Sequence, residues 1–551
     1  MIAALTCLSV AAFTQEPRPT TIAHRSTVYA PHAMIATSQP LATAAGLAVL
    51  ERGGNAIDAA VTAAAVLNVT EPMMTGIGGD MFAIVWSEQD HKLYGLNASG
   101  RAGSLMTREA LLARGHRAMP VATIEDVTVP GALSGWDALL HRFGTITLAQ
   151  ALAPAISYAE DGFPVTPIIA QEWGAETARL VRDEGARATF LVDGTRAPRA
   201  GEWFSNHDLA RSFRLIAAQG PAALYGGELG QRVVTGVRQL GGYLTLEDLR
   251  GQRPEWVEPI SVPFHGYRVW ELPPNGQGVA ALEILKLLEP YDVRALGHNS
   301  AAYLHLLIEA KKLAFADAAR YVGEPAAMPT PATALLDDRF VAARRALIDP
   351  HCAADRPEPG AALTASETIY LTAADSVGNM VSFINSLFDA FGSGVVVPGT
   401  GFALQDRGAG FTLEPGLPNT VAPGKRPFHT IIPAFVTKRD GQGVEQSWMS
   451  FGVMGGSMQP QGHVQVLLNL LAFGMDIQQA LDAPRFRHLD GRRVALEAPI
   501  GDPVRSALTA LGHVIVDERA VAFGGAQAII HLPRGYAGGS DPRKDGMAAG
   551  Y

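Results

Sequence analysis

The sequence predicts a layered α/β protein in which helices cover two stacked sheets. Three observations carry that prediction. Residues from about 41 to 347 are written mainly in helical patterns, interrupted by strand-like pieces. From Thr368 to the end the text is dense in strands, with one long apolar helix among them. Between the two lies PHCAADRPEPGAALTAS (350–366), polar, rich in Pro and Ala and without period, which reads as a linker. Long helices combined with many strands suit helix layers on sheet layers.

The elements follow in order. PLATAAGLAVLERGG predicts a helix from about Leu41 to Arg52, stopped by Gly53-Gly54. Asn55 or Asp58 opens a second helix, rich in alanine and apolar on nearly every face, as buried helices are. TGIGGDMFAIVW is a glycine loop running into an apolar strand. Its spacing is not GxGxxG and it precedes a strand, so close backbone packing suits those glycines better than phosphate binding. KLYGLNASGRAG reads as a strand. Residues 106–299 are mostly helical, with turns at Pro130-Gly131, Gly162-Phe163 and Gly241-Gly242 and a strand-like interval at 255–275. Helices dominate 279–321 and 333–347. After the linker come the strands IYLTAADS, NMVSFINS, GSGVVV, GFALQD, TIIPAFVTK and QSWMSFG, a helix over about 459–474, and the strand AQAIIHL. No 20–50-residue repeat is present.

Composition narrows the function classes. Hydrophobic residues at 48% against 18% charged fit a well-buried globular body. The net charge of −9, with no basic block, argues against nucleic acid as a partner. Two cysteines, Cys7 and Cys352, form no CxxC, and the histidines, His351 and His463 included, show no HExxH or paired spacing. No metal and no cofactor are therefore expected. MIAALTCLSVAAF (1–13) is apolar over the length of a signal core but lacks a basic start. It reads equally as a signal remnant, implying a periplasmic or secreted protein, or as an apolar tail on a cytoplasmic one. No run is long and apolar enough for a membrane helix.

Thr368 opens the first strand after the linker. A threonine hydroxyl is a poor nucleophile until a base takes its proton. If Glu367–Thr368 is cut, Thr368 gains an α-amine whose reference pKa, about 7.7–8.0, suits that task. Position alone is also what any strand-opening threonine would show.

Several further segments occur in order: GGNAIDAAVTAAAVLNVTEP, GIGGDMF, TVPGALSGW, DLRGQRPEWVEPISVPFHGY, PPNGQGVAALEILKLLE, GNMVSF, FGSG, PGKRP, GVMGGS, ALDAPRFRH and SDPRKDGMAAGY. Together with the Thr368 segment they resemble the γ-glutamyltransferase (glutathione hydrolase) family of N-terminal-nucleophile hydrolases, from about residue 30 to 551. The resemblance implies an αββα sandwich and a precursor that cuts itself at Glu367–Thr368. It implies a large fragment, 30–367, and a small one, 368–551, intertwined in one domain behind a tail, 1–29. It implies Thr368 as the nucleophile that carries the acyl group, and a γ-glutamyl amide as substrate. Water or an amino acid is the acceptor. It is compatible with a homo-oligomer.

Site residues carry over one by one. Gly455 and Gly456 match the oxyanion-hole glycines, and Arg101 the arginine that grips the substrate α-carboxylate by its fork. Thr372 and Ser386 match hydroxyl positions near the nucleophile, Ser386 replacing a threonine that supports processing. His429 and Thr430 stand where two serines touch substrate, and His429 reads equally as a packed histidine. Departures cluster on the acyl side. Phe388 replaces an asparagine, Arg407 a glutamine, Gly410 the aspartate that binds the α-ammonium, and Tyr370 a histidine. Asp406 is the neighbouring carboxylate that could substitute. FTLEPGLPNTVAPGKRP is shorter than its usual counterpart, which carries a lid, and an opener pocket favours hydrolysis over transfer. Self-cleavage and amide hydrolysis thus stand closer to the residues than glutathione specificity. The alternatives are an acylase acting on another amide, such as a cephalosporin side chain or oxamate, and an uncut, inactive binding homologue.

Overall fold

The computed structural model of the chain describes residues 25–355 and 367–551. The apolar run 1–13 and most of the expected linker, 356–366, lie outside the described residues. Two seven-stranded sheets are built from antiparallel neighbours. Their strands, in chain order, are β1 (Val28–Ala30), β2 (Met34–Thr37), β3 (Asp80–Ser87), β4 (Lys92–Ala98), β5 (Glu255–Val257), β6 (Ile260–Phe264) and β7 (Tyr267–Glu271). They continue with β8 (Glu367–Ala374), β9 (Met380–Phe388), β10 (Ala434–Arg439), β11 (Glu445–Met454), β12 (Gly525–His531), β13 (Tyr536–Ser540) and β14 (Met547–Gly550). One sheet runs β1-β13-β12-β11-β10-β7-β6 and the other β14-β2-β8-β9-β3-β4-β5.

Side-chain alternation makes these sheets a sandwich. Along β8, Tyr370 and Ala374 join Phe82, Ile384, Phe435 and Ile529 in the apolar layer between the sheets. Ile369, Leu371 and Ala373 point to the opposite face, against helices. That outer layer contains α1 (Pro40–Glu51), α2 (Ala56–Thr70), α3 (Ala132–Phe143) and α4 (Leu148–Asp161). The far face of the other sheet is covered by α5 (Gly278–Leu288), α6 (Ala301–Tyr321) and α7 (Met458–Leu471). The order is helix, sheet, sheet, helix, as the sequence predicts.

Local chemistry sets the helix limits. In α1 the Gln39 side chain caps the N–H groups of Leu41 and Ala42, and Gly53, at φ 89°, ends the run. In α2 both expected openers act together: Asn55 accepts from Asp58 N–H, and the Asp58 carboxylate accepts from Asn55 N–H at 2.9 Å. Every residue of α2 is buried, matching its all-round apolar face. Three expectations need correction. GSGVVV (392–397) and GFALQD (401–406), expected as strands, are turns and loop that meet at the bridge of Val396 with Ala403. The helix expected over 333–347 is a 3₁₀ turn, Ala332–Leu336, followed by a helix, Asp338–Arg345. Asp337 caps Arg339 and Phe340 and starts a new element there. The helical interval 106–254 also holds a small ribbon, Phe163–Pro164 with Trp203–Phe204.

The GIGGD glycines do pack backbone against backbone. A Cβ on Gly78 would lie 2.0 Å from Ala403 O, and one on Gly79 2.3 Å from Ser386 O. Among the described residues no helix is long and apolar enough to cross a membrane.

Candidate active site

The head of β8 is irregular. Ile369 pairs with Asn385 and Glu367 with Phe388, so the facing strand carries an extra residue opposite Thr368. This bulge sets the Thr368 side chain beside Ser386, and its hydroxyl donates to Ser386 Oγ at 3.2 Å. Ser386 Oγ also accepts from Phe388 N–H at 2.9 Å and from Arg407 Nη2 at 2.8 Å. Arg407 Nη1 donates to Thr430 Oγ1 at 2.8 Å, and the guanidinium lies 4.5 Å from the centre of the Phe388 ring. Phe388 ends its strand at φ 87°, which turns the chain away and leaves its ring over the arginine. Thr368, Ser386, Arg407 and Thr430 are all at most 1% exposed.

The expected oxyanion turn follows β11. Contacts across the sandwich set the alignment: Thr372 Oγ1 meets Ser450 Oγ, and the Tyr370 ring covers Gly452, where a Cβ would come within 2.4 Å of it. Stepping by two along both strands brings the Thr368 position to the end of β11, where Gly455 and Gly456 begin. Their φ values, 122° and 55°, form the turn into α7. Among the described residues neither glycine N–H donates a hydrogen bond. Gln277 pins the turn, its Nε2 donating to Gly456 O at 2.8 Å and to Thr430 O at 2.6 Å. Thr368, Ser386, Arg407, Thr430, Gln277 and Gly456 thus form one connected chain of contacts.

His429 sits behind this chain. Ile431 N–H donates to its Nδ1 at 3.3 Å, so the ring proton is on Nε2, which donates to Asp80 Oδ2 at 3.1 Å. Burial, with Arg407 adding to it, pushes the imidazole down to about 3 against the pull of Asp80. His429 is therefore a neutral, packed histidine. Asp80 Oδ1 accepts from Gly100 N–H, Gly131 N–H and Gln405 Nε2, tying three loops under the site. Asp406 Oδ1 accepts from Asp389 N–H at 3.0 Å. Burial raises both carboxyls, Asp389 to about 8, where the Asp406 carboxyl adds to it. Burial lowers Arg407 to about 10, opposed by Asp80, Asp406 and Asp389.

Arg101 lies apart from this chain of contacts. Its side chain, 35% exposed, pairs with Glu324 and with Glu255 at 3.0 Å, and donates to Gly424 O. Glu255 is shared with the buried Arg426 at 2.7 Å. Gly410 has no room for a side chain, since a Cβ would stand 2.4 Å from Phe428 O. Sequence reading missed Asp80, whose signal is the acid closing GIGGD, and Gln277, whose work is done by contacts more than 150 residues away. It also missed the meeting of His305, Glu309 and His513 within 4.8 Å. There His305 Nδ1 bonds His513 Nε2 at 2.8 Å, and Glu309 is committed to Lys312 and to Ala354 N–H.

A buried threonine hydroxyl at a strand head, opposite a turn whose N–H groups donate no hydrogen bond among the described residues, is a constellation for acyl transfer. The family profile described as gamma-glutamyltranspeptidase matches residues 42–551. The chain belongs to the γ-glutamyltranspeptidase family. Within the family it is 36% identical to a glutathione hydrolase-like YwrD proenzyme of Bacillus subtilis (strain 168), over 94% of this chain and 98% of that one. It is 37% identical to the Acylase ACY 1 proenzyme of Pseudomonas sp. (strain V22), over 96% and 93%. Among solved structures, a cephalosporin acylase from Bacillus halodurans matches with a TM-score of 0.90 and 45% identity, covering 98% and 99% of the two chains. The fold is that of the N-terminal-nucleophile hydrolases, and membership makes the protein an amide hydrolase.

Proposed function

We propose that the protein is a self-processing amide hydrolase whose nucleophile is Thr368. The observation that carries this reading is the Thr368 hydroxyl hydrogen-bonded to Ser386 at the bulged head of β8, across from the open Gly455-Gly456 turn. Scission of Glu367–Thr368 frees an α-amine on the same residue. That amine takes the hydroxyl proton as Oγ adds to the amide carbonyl. The N–H groups of Gly455 and Gly456 receive the oxyanion. The amine then returns the proton to the leaving nitrogen, and an ester remains on Thr368. Water, activated by the same amine, releases the acid; an amino-acid amine in its place gives transfer. The fragments ending at 367 and starting at 368 stay together, and hydrolysis is preferred to transfer.

γ-Glutamyl amides such as glutathione are one substrate class. A second reading, an acylase for a non-glutamyl acyl group, is favoured by Phe388 on the Arg407 guanidinium and by the absence of space at Gly410. Mass spectrometry of purified protein should show two polypeptides, the second beginning Thr-Ile-Tyr-Leu, and an acyl adduct on Thr368 after brief exposure to substrate. An intact active chain without an adduct would remove Thr368 from the mechanism. Rapid hydrolysis of glutaryl amides beside inert γ-glutamyl amides would decide for the second reading, because the two differ by the amino group alone.

A further inference from the structure

Arg407 is a buried cation of an unusual kind. It is fully buried, yet no carboxylate lies within ion-pair distance of it among the described residues. Two of its N–H groups rest on the neutral hydroxyls of Ser386 and Thr430, and Nε has no acceptor. Hydroxyls are weak acceptors for a guanidinium, whose fork is matched to a carboxylate. Desolvating such a charge without a partner is costly. Asp80, Asp406 and Asp389 balance it only from a distance. The front of the fork is directed at Ser386, which bonds the Thr368 hydroxyl, and at Thr430.

We infer that Arg407 is the acyl-specificity residue: its guanidinium receives a carboxylate on the substrate's acyl group, so the preferred substrates are half-amides of short dicarboxylic acids. The inference rests on Thr368 as nucleophile and takes up the second reading of the acyl group. Three observations carry it. The contacts Thr368 Oγ1–Ser386 Oγ (3.2 Å) and Ser386 Oγ–Arg407 Nη2 (2.8 Å) bound the nucleophile-to-guanidinium distance at 3.2 + 2.8 = 6.0 Å. An acyl chain spanning that gap places its carboxylate within a few carbons of the carbonyl under attack. An ammonium finds no seat at Gly410, and Phe388 offers a ring where a polar group would be needed. Arg101, the other arginine in question, already holds Glu255 and Glu324. Ser386 and Thr430 occupy the fork until a carboxylate displaces them.

The test compares anilides that differ only in the far end of the acyl chain: succinyl against butyryl, and malonyl against propionyl. The wild-type protein should prefer the carboxylate member by on the order of 100-fold in kcat/KM, from two charge-assisted bonds. Arg407→Gln should bring that ratio to within a few-fold of one, and Arg407→Lys should restore part of it. Succinate should inhibit the wild type far more strongly than butyrate, a measurement independent of how the variants fold. Equal wild-type rates on succinyl and butyryl anilides would overturn the inference. So would an Arg407→Gln variant that slows both equally, which marks a residue that merely positions Ser386. In those cases cutting at Glu367–Thr368 and hydrolysis of some amide persist, and the nucleophile assignment stands. A protein that neither cuts itself nor hydrolyses any amide sinks the nucleophile assignment and this inference together.

Discussion

Two halves of the site differ in how they are built. On the side of the proposed nucleophile, Thr368, Ser386 and the Gly455-Gly456 turn belong to strand ends and a tight turn, and backbone geometry places them. On the proposed acyl side, Arg407 is held by hydrogen bonds to Ser386 and Thr430, the Phe388 ring lies on its guanidinium, and Phe428 O closes the space beside the bare Gly410. On the proposed mechanism, reaction chemistry and substrate choice rest on different groups that meet at Ser386, which bonds both Thr368 and Arg407. Choice can be rewritten while the machinery that attacks the carbonyl keeps its frame.

The comparison breaks most sharply at Thr368. Thr368→Ala should leave an uncut chain with no measurable hydrolysis, visible as one band in denaturing gels; two normal fragments would show that the attacking group lies elsewhere. Next in size is Gly455→Ala. At φ 122° an alanine is strained, and its Cβ would press on Gly524. Displacing the turn should lower kcat by about 10²–10³-fold with little change in KM. A mainly KM effect would move the oxyanion site away from this turn. Ser386→Ala strips an acceptor from Thr368, Arg407 and Phe388 N–H together. It should slow both cutting and hydrolysis by roughly 10–100-fold, at the cost of stranding buried donors. Full-speed cutting beside slow hydrolysis would limit Ser386 to the acyl side.

The smallest effect concerns pH. His429 is held neutral down to about 3, whereas an unfolded histidine protonates near 6.5. Between those values the unfolded chain binds the extra proton, so stability falls as pH is lowered through that window. From pH 7 to pH 5 the share of His429 is about 2 kcal/mol. Denaturant titrations of the wild type and His429→Gln at both pH values should show that much less acid sensitivity in the variant. Equal sensitivity would mean that His429 takes up its proton while folded.

Much of the frame was legible in the sequence. The stop of α1 at Gly53 and the opening of α2 at the Asn55/Asp58 pair are local signals that the sequence reading used; the Gln39 cap of α1 is one that it did not. Thr368 shows itself only as a strand start; the roles expected of it, of Ser386 and of the two glycines come from the resemblance of the ordered segments to the family. What was not legible is set by distance along the chain. Arg101 is claimed by Glu255 and Glu324, 154 and 223 residues away, and no local pattern announces that. Gly410 looks like a missing aspartate in the sequence; in space it is a position where Phe428 O forbids any side chain. Arg407 without an acid partner, and His429 kept neutral by its burial, are likewise facts of packing.

If Glu367–Thr368 is cut as proposed, the order of strands has a consequence for the two pieces. At β1–β13, β10–β7, β14–β2, β2–β8 and β9–β3, adjacent strands come from opposite sides of Glu367–Thr368. A single broken peptide bond therefore opens no seam. The two pieces are woven through each other like warp and weft, and parting them means dismantling both fabrics at once, so the nicked protein should melt as one unit.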